Sequence, residues 1–157
     1  MKLWQRRLLG LLAIGGGVLG VTVAIPLVAQ ATRVIEWVIF ILFVGVYAWG
    51  VWGGLILIEG RPRAERINRW FWLIQIPAFT TPAIGYSLSC GFHFVVSLTF
   101  SPFKLGVSSY LGSSYNFQLL QDDQPFSIGV NLFALVVFLW LGGLTRSQRT
   151  AELSSAA

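Results

Sequence analysis

The stretch WFWLIQIPAFTTPAIGYSLSCGFHFVVSL, residues 70–98, carries no charged side chain, and its reading decides the fold. It is longer than the roughly 20 residues a helix needs to cross the hydrocarbon of a bilayer. Pro77 and Pro82 remove two backbone donors from its first half, so a helix here is expected to kink. At helical spacing Pro82, Tyr86, Ser89, His93 and Ser97 share one face. Such a polar stripe should turn away from lipid and into a bundle.

Three further runs, 8–32, 37–58 and 124–145, are also free of charge. The chain is 55% hydrophobic and 11% charged, against roughly 25% charged residues in an average soluble domain. That balance excludes disorder and an ordinary soluble fold. The expectation is an all-α integral membrane protein of one domain with transmembrane helices at 8–29, 34–58, 70–98 and 126–144. A polar loop at 59–69, a long loop at 99–125 and a tail at 145–157 complete it.

The basic residues sit at the ends of the apolar runs, which reads as topology rather than as a nucleic-acid surface. Lys2, Arg6, Arg7, the arginines at 61, 63, 66 and 69, and Arg146 and Arg149 fall on one side. Arg33 and Lys104 fall on the other. The positive-inside rule then places both termini and the arginine loop in the cytoplasm, with 99–125 facing outward. Nine arginines against two lysines suit a GC-rich genome and hence a bacterial inner (plasma) membrane. The first run also carries a signal-like Ala29, Gln30, Ala31. Its apolar part is longer than the roughly 7–15 residues of a signal core, and Pro26 crowds the cleavage site, so retention is expected.

In the long loop Phe103, Leu105 and Val107 alternate with polar or small residues, as do Tyr115, Phe117 and Leu119. This fits a β-hairpin turning around Leu111, Gly112 and Ser113, or an irregular loop with its aromatics in the headgroups. Asp122 and Asp123 read as a solvated pair. Gly16 and Gly20, and Gly50 and Gly54, are small-residue pairs that let helices approach closely, most simply within the bundle itself.

For chemistry, Glu36, His93 and Asn131 fall at similar depth in the outer half of the assumed spans. With Tyr86 and Ser89 they form a candidate polar intramembrane cluster for a ligand, a proton relay or interhelical hydrogen bonds. A metal site lacks ligands, with one histidine and one cysteine in the chain, and no cofactor is expected. Nucleophile-elbow, P-loop, dinucleotide and zinc-protease motifs are absent, which argues against an enzyme. Phe103, Tyr110, Tyr115 and Phe117 form a candidate interaction loop, since aromatic residues are enriched at interfaces. The expected partners are the lipid bilayer and another membrane protein or a second copy, with no nucleic acid. The leading expectation is a non-enzymatic accessory or assembly subunit of a membrane complex. The alternative is a small transporter or permeation subunit for a neutral or amphiphilic solute, using the polar face of the third run.

Overall fold

The computed structural model describes residues 1–28, 31–100, 102–119 and 124–155, with side chains as far as residue 144 except those of 27 and 28. Asp122 and Asp123, and the Ala29–Gln30 part of the signal-like motif, lie outside the described residues. The element order is α1 (Leu3–Val28), α2 (Val34–Glu59), α3 (Ala64–Leu73), β1 (Pro77–Thr80), β2 (Ile84–Phe100), β3 (Phe103–Leu119), β4 (Ser127–Asn131) and α4 (Leu132–Ser155).

The four-span, all-α expectation is therefore wrong in its second half. Two helices, Leu3–Pro26 and Val34–Glu59, are long and apolar enough to cross a membrane by length and composition. Both are compatible with membrane association. The run at 70–98 is instead the end of α3, the short strand β1 and most of β2. The run at 126–144 is β4 followed by the first half of α4, which continues through the expected tail to Ser155.

Period two explains the correction. From Ile84 to Phe100 every second residue is apolar (Ile84, Tyr86, Leu88, Cys90, Phe92 and onward to Phe100), while Gly, Ser, His, Val and Thr fill the alternate positions. A strand collects one kind of residue on each face at this period, and a helix cannot. The prolines do not kink a helix. Pro77 opens β1, where a strand tolerates proline, and Pro82 sits in the turn closed by Thr81 N–H donating to Ile84 O at 2.9 Å.

The alternation expected in the long loop is present, but the turn is elsewhere. Residues 103–119 form one continuous strand, and the chain reverses between Phe100 and Phe103, which pair with each other. Leu111, Gly112 and Ser113 lie in mid-strand, opposite Phe92, Gly91 and Cys90. Gly91 (φ 95°) and Gly112 (φ 142°) face each other in backbone conformations that L side chains rarely adopt, so the ladder can bend there only because both are glycine.

The sheet is antiparallel with order β1-β4-β2-β3, and β1 pairs with β2 as well. β1, β4 and β2 thus close on one another. Among the described residues β3 is bonded along one side only.

α1 and α2 pack as an antiparallel pair through their small residues. A side chain at Gly17 or Gly54 would strike the facing helix backbone, at Tyr47 O and Gly10 O respectively, and Gly20 lies under the Tyr47 ring. Gly16 is used differently, because a methyl there would overlap the β2 backbone at Cys90 and Gly91. α2 ends in a Schellman turn: Gly60 (φ 73°) donates to Leu57 O at 3.2 Å and Arg61 N–H to Ile56 O at 3.0 Å. α3 then runs back along α2, with Asn68 Nδ2 on Gly53 O at 2.8 Å and the Phe71 ring against Gly50. The core joins Leu9, Ala13, Phe43, Tyr47, Phe71, Trp72, Leu88, Cys90 and Val137 from helices and sheet alike.

Candidate functional site

The second edge of β2 is shared. β1 covers residues 85–87 and β4 covers 95–99, which among the described residues leaves 88–94 without a strand partner on that side. Buried amides need acceptors, and side chains supply them. Gln75, just past the end of α3, accepts Cys90 N–H on its Oε1 at 2.8 Å and donates Nε2 to Phe71 O at 3.2 Å. Asn131, at the β4–α4 junction, takes Phe94 N–H on its Oδ1 at 3.4 Å and Ala134 N–H at 3.3 Å, the latter being a helix N-cap contact. Both side chains are 1% exposed.

His93 lies beside this gap, buried, with its ring stacked on Tyr110 at 4.3 Å between centroids and Nε2 3.0 Å from Ser108 Oγ. Nδ1 of His93, Nδ2 of Asn131 and Oγ of Ser89 are buried without a hydrogen-bond partner.

The structure splits the expected polar cluster. His93 and Asn131 stay close, because Asn131 pairs with Val95, two residues along the same face. Ser89 is buried on that alternation too. Tyr86 belongs to the other set, and its hydroxyl donates to Ile74 O at 2.7 Å. Glu36 is not in the cluster. Its carboxylate caps α2, accepting Thr32 N–H at 2.8 Å and Arg33 N–H at 3.1 Å. Among the described residues there is no group of three or more His, Cys, Asp or Glu side chains able to hold a metal.

The four aromatic residues of the expected interaction loop divide in two. Tyr115 stacks on Phe43 of α2 at 4.4 Å, and Phe117 meets the same ring edge-on at 6.5 Å, so both belong to the interior. Phe103 and Tyr110 face out, at 73% and 36% exposure.

Beyond the glycine pair, the apolar side of the hairpin is uncovered: Leu105, Val107 and Leu111 are exposed, with Leu98 and Ile128 continuing the patch across β2 and β4. Reading the third run as a helix hid this surface. The alternation from Ile84 to Phe100 was the signal that could have revealed it.

One end of the helix pair is basic. The Arg6 guanidinium donates to Leu57 O and Ile58 O, both at 3.0 Å, which ties the start of α1 to the last turn of α2. Arg61 pairs with Glu59 beside it. Arg69 lies over the Phe138 ring at 4.5 Å, which brings α4 alongside α3.

No family model matches the sequence, and no curated protein or solved structure is significantly similar to it.

Proposed function

We propose that the chain is a membrane-anchored, non-enzymatic interaction subunit, held by α1 and α2 and engaging its partner through the β2–β3 hairpin. The observation that carries this reading is the distal half of that hairpin. There an apolar face stands 61–74% exposed at Phe103, Leu105, Val107 and Leu111, on a strand whose outer edge is unpaired among the described residues. Such an edge recruits another strand, with main-chain bonds giving affinity and alternate side chains giving specificity.

Anchoring has separate support. Only 39% and 17% of the apolar windows of α1 and α2 are buried within the chain, so most of their surface needs lipid or protein against it. Arg6, Arg61 and Arg63 line one cavity at one end of the pair, the arrangement expected of a cytoplasmic face, and α4 runs back toward that end. The reading is thus of an inner-membrane protein with both termini cytoplasmic.

The test is extraction followed by native mass spectrometry of the full chain from its host membrane. Retention in the bilayer after alkaline carbonate, together with a complex lost in a Leu105→Ser, Val107→Ser variant, is expected. Release by carbonate sinks the anchor, and a bare monomer for the wild type sinks the interaction.

A further inference from the structure

We propose that the partner strand is β3 of a second copy of this chain, paired antiparallel across a two-fold axis at Leu111. This rests on the membrane-anchored interaction reading above and specifies its partner.

The argument starts from depth. Ser113 Oγ donates to Gly16 O, and Tyr115 stacks on Phe43, so this part of β3 lies against the middle of the two apolar helices. Gly16 is about 18 Å from the Val28 end of α1 at 1.5 Å of rise per residue. Within hydrocarbon, every backbone N–H and C=O has to be bonded inside protein, and an open sheet edge does not persist there. β3 is such an edge.

The count of edges then selects the occupant. β1, β4 and β2 bond to one another, and β2 also to β3, so among the described residues β3 is the one long edge left open. Two copies joined through β3 leave no long edge free, which is the closure an isologous two-fold interface provides. A partner that contributed no edge of its own would leave the bonds unmade.

The sequence of β3 suits its own reverse. With Leu111 opposite its copy, Phe103 meets Leu119, Leu105 meets Phe117 and Val107 meets Tyr115 on one side, where Ser109 also meets Ser113. Lys104, the single charge in the strand, meets Gln118 rather than another Lys104. The devices that usually block edge pairing, proline and repeated charge, are missing from these 17 residues.

Cysteine crosslinking of the full chain in its own membranes tests the register. Directly opposed residues of antiparallel strands have Cα atoms about 4.5–5.5 Å apart, within disulfide reach. The native Cys90 is buried and does not compete. With a mild oxidant, Leu111→Cys is expected to give a disulfide-linked homodimer. Phe103→Cys alone should not, whereas Phe103→Cys co-expressed with Leu119→Cys should. Equal homodimer from Leu111→Cys and from Phe103→Cys alone overturns the register. A Leu111→Cys link to a different protein overturns the second copy and leaves the interaction reading standing. No link from any of these variants, with the protein folded and in the membrane, overturns both.

Discussion

The side-chain carbonyl of Gln75 accepts the backbone N–H of Cys90 at 2.8 Å, inside the protein and between the stretches of β2 that β1 and β4 cover. A residue between α3 and β1 thus completes a sheet it does not belong to. Gln75→Leu keeps the volume and removes the acceptor, leaving the buried amide unsatisfied at a cost of about 1–3 kcal/mol. Thermal unfolding in detergent should show the loss, and hydrogen exchange should rise at Cys90. Unchanged melting would mean that the gap is satisfied some other way.

Neighbouring glycines of α1 should behave in opposite ways. A methyl at Gly16 overlaps the backbone of Cys90 and Gly91, whereas one at Gly15 meets nothing within 4 Å. Gly16→Ala is expected to destabilise by about 1–3 kcal/mol through overpacking against main chain that cannot yield. Gly15→Ala should be neutral or stabilise by roughly 0.5–1 kcal/mol from helix propensity. Parallel melting curves of the two variants decide whether α1 packs on the sheet as described.

The open edge can be blocked by charge without touching the core. Leu111 is 74% exposed and close to Ser113, at bilayer depth, where a lysine costs about 2.5–3.5 kcal/mol, so membrane retention of the folded Leu111→Lys chain is measured beside its oligomeric state. Two such lysines would face each other across the proposed axis, so the dimer should give way to monomer in native mass spectrometry. A Leu111→Lys protein that dimerises like wild type places the contact elsewhere.

Part of this architecture is legible in the residues. α1 and α2 follow from uncharged runs long enough to satisfy their own backbone, and the small residues that pack them are visible as Gly16, Gly20, Gly50 and Gly54. Arg6 and the arginine loop were assigned to one side by charge counting, and the contacts of Arg6 with Leu57 and Ile58 put its guanidinium at the arginine-loop end of α2. The alternation in 103–119 fits a hairpin turning at Leu111 or an irregular loop; it is one strand, and the turn lies between Phe100 and Phe103. The same alternation runs through 84–100, a stretch whose length and hydropathy by themselves suggest a membrane helix. Grouping Glu36 with His93 and Asn131 followed from assumed helical depth, and it failed once β2 and β4 proved to be strands.

From its sequence alone the chain is committed to two apolar helices, a basic end and two long segments with one apolar side. These are local properties: a helix closes its hydrogen bonds within four residues, and charge and alternation are fixed wherever the chain goes. Tertiary structure decided that residues 84–100 form a strand, that Gln75 and Asn131 bridge its gap, and that β3 is left with an open edge. A strand makes its bonds with another segment of the chain, as Ile84 does with Leu119. Whether an apolar run becomes helix or strand, and which polar side chains are spent on its backbone, therefore depends on what the fold brings beside it.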